Sequence, residues 1–261
     1  MRLSVFTVMV GGGYDLERAA ELVKRAGYDG IEWRVQDDWH VPATDIEAHA
    51  QQVAEVTRAA GLELASLAPY VRASEPDKIE SIMRAAQAMG VKQTRVGVPG
   101  YDRSTPYRES LDQAHRELKT IELLSQKYGV KGLVELHFGN IACSASLAKR
   151  VLEPFDPRCL GAIYDPGNMV VEGMVNWKLG LEVLGPHLGH VHVKNAGWFQ
   201  DDGAWKWRWV PLEQGIVDWP QVIADLKAVG YDGYLSCEDF CELPVEDKLT
   251  RNAQMLRQWI G

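Results

Sequence analysis

Glu135, Asp165, His192 and Glu238 each stand at the downstream end of a short apolar run: GLVELH (132–137), LGAIYD (160–165), GHVHVK (189–194) and YLSCED (234–239). Three carboxylates and an imidazole form an oxygen/nitrogen donor set suited to one divalent metal ion. If the four runs are parallel strands of one barrel, these residues converge at the C-terminal mouth, where such barrels carry their chemistry. Each carboxylate also has a plainer use. Asp165, before Pro-Gly-Asn, can make an Asx turn, and Glu238 or Asp239 can cap the helix that follows. Taken together, however, three carboxylates gathered at one mouth repel one another and are costly without a cation.

The elements that would position them are legible as a repeated joint. RAGYDGIEW (25–33) and AVGYDGYLS (228–236) each close a helix at Gly, turn through Tyr-Asp-Gly and enter a strand. Variants recur at 59–67, 88–98 and 127–136. This helix–turn–strand alternation predicts a parallel sheet. Strands are expected near 2–8, 30–35, 62–68, 93–98, 132–137, 160–165, 189–194 and 234–239. Helices are expected near 15–26, 44–60, 74–89, 105–128, 144–152, 174–185, 218–229 and 245–259. Helix starts are marked by a capping box at Thr44-Asp45-Ile46-Glu47, by Ser74 before Glu-Pro-Asp-Lys, by Thr105-Pro106 with Pro at the first helical position, and by Asp218-Trp219-Pro220. Eight strands and eight helices predict an α/β fold, a single (β/α)8 TIM barrel over residues 1–261. No GxGxxG follows the first strand, which removes the main sign of a dinucleotide domain. Gly11-Gly12-Gly13 lacks the Lys-Ser/Thr of a phosphate loop and reads as a flexible loop.

Composition narrows the class. The chain has 261 residues, 46% of them hydrophobic and 25% charged, with a net charge of −8. These values predict a soluble globular protein and argue against a nucleic-acid partner, which would need a basic face. No segment reads as a membrane span, and the apolar N-terminal stretch reads as a first strand. Four cysteines without CxxC spacing suggest free thiols in a reducing, cytoplasmic setting. Cys237, next to Glu238, should point to the helical layer.

Strand parity refines the site. His137 shares a face with Glu135 and sits higher, within reach of a substrate oxygen; His190 and Lys194 share a face with His192. His190 lies one layer, roughly 6.6 Å, below His192 and reads as a hydrogen-bonded core histidine. Lys194 could touch substrate or pair with a ligand carboxylate. The interval from His192 to Glu238 exceeds the roughly 30-residue repeat. Its excess is a loop at 195–215 that carries four of the nine tryptophans. Such a loop is expected to be a lid, a substrate wall or an oligomer contact, or to pack on the barrel rim.

The runs VELHFGN (134–140), YDPGNM (164–169), HVHVKN (190–195), PLEQGIVDW (211–219) and GYLSCED (233–239) resemble the xylose isomerase-like TIM barrels. These are sugar isomerases and epimerases, among them ketose 3-epimerases, hydroxypyruvate isomerase and inosose dehydratase. The resemblance spans the chain in layout and is carried by its second half. It implies that Glu135, Asp165, His192 and Glu238 hold Mn²⁺, Mg²⁺ or Co²⁺, with Zn²⁺ as a further candidate. It also implies that Glu135 and Glu238 are the paired acid/base carboxylates. Substrate contacts are expected from His137, Asn168, Lys194 and Arg208. The sequence departs from the ketose 3-epimerase pattern at Asn168, where a His is usual, and at Trp198, where an Arg is usual. Many relatives read Lys-Asp at Lys194-Asn195 and Gly-Glu-Gly at Glu213-Gln214-Gly215. Arg208 could supply the missing cation, or could face solvent, stacked on Trp207 or Trp209.

The function so implied is a metal-dependent isomerase or epimerase of carbohydrate metabolism. It would act on a ketose or related polyol, moving a proton at the carbon beside a metal-bound carbonyl through an enediolate. A metal-dependent dehydratase of inosose or dehydroshikimate type shares the first step. A non-catalytic sugar-binding barrel is a third reading. A DNA endonuclease would need more ligands and a basic groove. The expected partners are a small-molecule sugar, unphosphorylated given that no phosphate motif is present, and a second copy of the chain through the Trp-rich loop; nucleic acid and membrane are not expected.

Overall fold

Strands rich in Val, Ile and Leu alternate with amphipathic helices, and the computed structural model, which describes residues 1–261, closes them into one barrel. In chain order the elements are β1 (Arg2–Phe6), α1 (Leu16–Arg25), β2 (Gly30–Val35), α2 (Ile46–Ala59), β3 (Glu63–Pro69), α3 (Pro76–Met89) and β4 (Gln93–Arg95). There follow α4 (Tyr107–Tyr128), β5 (Lys131–Glu135), α5 (Ala145–Leu152), β6 (Leu160–Tyr164), α6 (Pro166–Val171), α7 (Trp177–Leu184) and β7 (Leu188–Val193). The chain ends with β8 (Asn195–Asp201), β9 (Ala204–Val210), α8 (Trp219–Ala228), β10 (Tyr234–Cys237) and α9 (Val245–Ile260). The barrel runs β1-β10-β7-β6-β5-β4-β3-β2, every pairing parallel. The expected (β/α)8 architecture is therefore the one found.

The Tyr-Asp-Gly joints work through their neighbours. Gly27 and Gly230 take positive φ, 93° and 78°, which ends α1 and α8 without a Cβ penalty. Asp29 then accepts hydrogen bonds from the Leu3 amide (2.8 Å) and from Arg257 of α9 (2.6 Å), tying β1, β2 and the last helix together. Side chains such as Val5, Ile31, Leu67, Val134, Val191 and Leu235 are fully buried. Each contributes about 1.5–3 kcal/mol by leaving water. Cys237 accepts a contact from Asn252 of α9, so it does face the helical layer.

Three helix starts differ from expectation. Thr44 makes no capping box: its amide and hydroxyl both bond Asp37, each at 2.8 Å, so the stronger carboxylate acceptor takes both donors and Asp45 becomes the N-cap. Glu75, not Ser74, precedes the first residue of α3, which is Pro76. Pro106 is itself the N-cap of α4 rather than its first residue. Asp218 caps α8 as expected, accepting from the Gln221 amide.

The larger difference lies after β7. Residues 195–210 are not an irregular loop but an antiparallel hairpin, β8 against β9, turning at Asp202-Gly203 with both φ positive (50° and 75°). The pairing Trp198↔Trp207, Ala196↔Trp209 and Gln200↔Trp205 puts all four tryptophans on one face of the ribbon. No helix is long and apolar enough to cross a membrane.

Candidate active site

The barrel interior is polar below the mouth, and one residue organises it. Glu32 on β2 is fully buried, and its Oε2 meets donors from β7 and β10 across the barrel: His190 Nε2 at 3.0 Å, His192 Nε2 at 3.2 Å and Ser236 Oγ at 2.6 Å. Its Oε1 has no partner. Burial disfavours its charge, but His192 and His190 outweigh that and hold the carboxyl well below its ordinary range. His190 is the core histidine expected, bonded also to Gln93 at 3.2 Å.

One layer higher, the four strand-end residues meet. Their donor atoms all lie within 4.8 Å of one another. Glu135 ends β5, Asp165 follows β6 and caps α6, His192 lies in β7, and Glu238 follows β10. His192 Nδ1 is 3.0 Å from Glu135, 3.4 Å from Glu238 and 3.8 Å from Asp165. With Nε2 directed to Glu32, Nδ1 is the atom His192 presents to the cluster. Phe6 stacks on its ring, fixing the plane.

The cluster brings its own cations. Lys194 Nζ lies 2.7 Å from Asp165 and pairs with Glu238, and Arg95 of β4 pairs with Glu135 Oε2 at 2.8 Å. Lys194 thus pairs with two carboxylates of the cluster, matching one of its two expected uses. Arg95 escaped the sequence reading, as did Glu32. Burial opposes charge throughout the cluster, yet Arg95 and His192 hold Glu135 well below the ordinary carboxylate range, and Lys194 and His192 lower Glu238. Asp165 goes the other way: burial, reinforced by Glu135 and Glu238, pushes it up to about 6 against the pull of Lys194. Mutual repulsion of the carboxylates therefore does not by itself require an ion, because Lys194 and Arg95 already offset it.

The donor set nonetheless fits a divalent metal. Ligands bound about 2.0–2.2 Å from one ion stand up to roughly 4.4 Å apart, close to the spread found here. The position between Asp165 and Glu238 is already a cation site, filled by the Lys194 ammonium. Asn168 supports the set: its Nδ2 donates to Asp165 (2.9 Å), Glu135 (3.3 Å) and the Leu136 carbonyl (3.0 Å), leaving a buried, unpartnered Oδ1. Gly167 is needed beside it, since a Cβ there would stand 2.5 Å from Lys194 Cγ.

The walls differ in character. On one side Trp207 packs on Phe138 (5.3 Å) and Trp209 on Phe240 (5.5 Å), and the Trp209 and Phe240 rings roof Lys194 at 5.3 and 5.5 Å. Trp198 anchors the hairpin by donating to the Val170 carbonyl at 2.8 Å. Under this roof Glu135 is 5% exposed and Glu238 4%. A cavity of about 470 Å³ lies against Trp207, Trp209 and Phe240, and another of about 460 Å³ lies beyond Tyr70; neither is lined by the four donors. Of the expected substrate residues, His137 lines neither cavity and Arg208 lines the first. His137 bonds the Phe138 carbonyl and stacks on that ring, and Arg208 is exposed on the hairpin's opposite face, stacked on Phe199 at 3.9 Å rather than on a tryptophan. Ribbon alternation is the reason: Arg208 has the parity opposite to Trp207 and Trp209.

Comparison with known proteins agrees with this architecture. Residues 20–259 match the family described as xylose isomerase-like TIM barrel. No curated protein matches the chain. Among solved structures, a xylose isomerase-like TIM barrel protein from Mycobacterium smegmatis in complex with magnesium has a TM-score of 0.77 at 17% identity, covering 99% of this chain and 96% of that one. A D-psicose 3-epimerase in the presence of D-fructose gives 0.79 at 13%, covering 100% and 99%. The IolI protein with a bound zinc atom gives 0.80 at 17%, covering 100% and 98%. At these identities the structural likeness is one of fold, whereas the family match extends along nearly the whole sequence. The chain belongs to the xylose isomerase-like TIM-barrel family.

Proposed function

We propose that the protein is a metal-dependent sugar isomerase or epimerase acting on a ketose or related polyol. The observation that carries this reading is the convergence of Glu135, Asp165, His192 and Glu238, donor atoms within 4.8 Å, at the C-terminal mouth of the barrel. These four residues would hold the ion, of which Mn²⁺, Mg²⁺, Co²⁺ and Zn²⁺ are candidates; bound there, it would supply Lewis acidity toward a substrate carbonyl oxygen.

The protein's own groups divide the remaining work. Glu238 has one oxygen paired with Lys194 and His192 and the other free of protein partners, so it is the carboxylate best placed to take a proton from the carbon beside the carbonyl. Glu135 has both oxygens engaged, one by His192 and Asn168 and one by Arg95. It serves as the second acid/base, with Arg95 orienting its carboxylate. Return of the proton to the opposite face gives the epimer, and return to the neighbouring carbon gives the aldose–ketose isomer. The Trp209–Phe240 roof excludes water while the enediolate exists and must swing aside to admit substrate.

The test is solvent-deuterium exchange followed by NMR, with Mn²⁺-loaded protein and a panel of free ketoses. Deuterium should enter beside the carbonyl with product mass conserved, and Glu238→Gln should abolish it. Appearance of an alkene or dione with loss of water would instead establish a dehydratase. No exchange with any ketose, or exchange at the wild-type rate in Glu238→Gln, would refute the assignment.

A further inference from the structure

The wall facing the tryptophan ribbon is cationic, and its outermost member has no acidic partner. Arg34 lies two residues beyond Glu32 on β2, so it shares the inward face one layer nearer the mouth. Its guanidinium is held between two rings, 3.8 Å from the centroid of Trp39 and 4.5 Å from that of Tyr70. Tyr70 is in turn held against Arg95, at 4.6 Å, and Arg95 pairs with Glu135. A stacked column thus runs Trp39, Arg34, Tyr70, Arg95 across β2–β4 and ends on the metal-ligand carboxylate. Every other cation near the cluster is spent, Arg95 on Glu135 and Lys194 on Asp165 and Glu238. Arg34 forms no ion pair. Its Nε and Nη2 share the Gln36 amide oxygen, at 3.1 and 2.6 Å, which leaves Nη1 and the second proton of Nη2 without protein acceptors. Contact with the Trp39 and Tyr70 rings restrains that fork.

We propose that Arg34 binds an anionic group of the substrate, so that the preferred substrate is a ketose-type sugar acid with a carboxylate at the end remote from its reacting carbonyl. This rests on the isomerase reading above. A carboxylate matches the fork of one guanidinium, whereas a phosphate dianion would need a second cation and Arg34 is the one near the cluster without a carboxylate partner. The charge balance agrees. With a divalent ion bound and His192 neutral, the ion with Arg34, Arg95 and Lys194 exceeds Glu32, Glu135, Asp165 and Glu238 by one positive unit. One substrate carboxylate would neutralise it. The wall also offers the neutral part of the substrate a matching surface opposite, the Trp209 and Phe240 rings.

The experiment measures binding of matched pairs, D-fructose with D-fructuronate and D-tagatose with D-tagaturonate, to the Mn²⁺-loaded protein by calorimetry, with D-fructose 6-phosphate as the competing anion. A charge-assisted contact predicts that each acid binds at least about tenfold tighter than its neutral partner. Arg34→Gln should erase that preference while neutral-ligand affinity stays within about twofold, and Arg34→Lys should restore part of it. Equal binding of acid and neutral sugar by the wild type, an equal loss for both in Arg34→Gln, or tighter binding of the phosphate ester than of the acids would overturn the proposal. Deuterium exchange on the same samples separates the two readings. An Arg34-dependent preference without exchange refutes the isomerase and keeps the anion site, whereas exchange as fast with neutral ketoses as with acids does the reverse.

Discussion

Removing the Lys194 charge tests whether this ammonium stands where a metal ion would. Lys194 is 2% exposed and is paired to Asp165 and Glu238, so Lys194→Met keeps the buried stem and deletes only the cation. Deleting one partner of a buried ion pair costs about 3–5 kcal/mol, because the other charges stay behind uncompensated. At about 2–4 °C per kcal/mol for a protein of this size, the melting temperature in chelator should fall by roughly 6–20 °C. The sign with pH is fixed. The ammonium's acidity is suppressed, burial being outweighed by Asp165, Glu238 and Glu135, so its contribution is complete below the ordinary lysine range and is lost only as pH rises beyond it. The deficit should therefore be constant from about pH 7 to 9. A metal at 100 times its dissociation constant adds about 2.7 kcal/mol to either protein. In the wild type, however, part of the intrinsic binding energy is spent moving Lys194 aside. The variant should therefore bind Mn²⁺ more tightly and recover more of its melting temperature than the wild type gains. Scanning calorimetry at pH 8, with EDTA and then with Mn²⁺, measures both effects. A variant as stable as wild type in EDTA, or one that gains less from Mn²⁺, would falsify the reasoning.

Glu32→Gln keeps an acceptor for Ser236 but removes the charge that aligns His192; Mn²⁺ affinity by calorimetry should fall about 10–100-fold with the fold retained, and unchanged affinity would show that Glu32 only fills the barrel. Because Asp165 sits at about 6, a proton competes with metal below that pH, and Mn²⁺ affinity should drop about fivefold between pH 6 and 5; a flat profile from 5 to 7 would contradict this. Asn195 donates to the Leu212 (2.6 Å) and Val217 (2.9 Å) carbonyls, so Asn195→Asp replaces two donors with buried acceptors and should cost roughly 2–4 kcal/mol, visible as a lowered melting temperature.

The fold was legible because its signals are local. Gly27 and Gly230 mark the helix ends, and runs such as GHVHVK have the length and parity of strands whose outward face is apolar and whose inward face carries function. The four donors were legible for the same reason, each standing within one residue of its strand's end. Glu32 was missed although it obeys the same rule: GIEWRV reads as a buried strand, but its acid lies one layer below the mouth, where only cross-barrel contacts to His190 and His192 reveal a purpose. Arg95 sits in the shortest barrel strand, where three residues give no periodicity to read. The hairpin had a signal that went unused: Trp205, Trp207 and Trp209 alternate, and Asp202-Gly203 is a two-residue turn pair. Reading that alternation would also have placed Arg208 on the outer face.

What sequence cannot supply is the charge balance of the mouth. Counting Glu135, Asp165 and Glu238 alone makes an ion look obligatory, yet Lys194 comes from one strand and Arg95 from another to offset them. The inference from repulsion thus weakens, while the inference from geometry strengthens, because a site already shaped around an ammonium between Asp165 and Glu238 is one that an ion can enter by displacement. The same distribution explains why Arg34 stands out. Near a cluster in which each lysine and arginine has a carboxylate partner, a stacked guanidinium with an open fork is the one group whose counter-charge the protein leaves to be brought from outside.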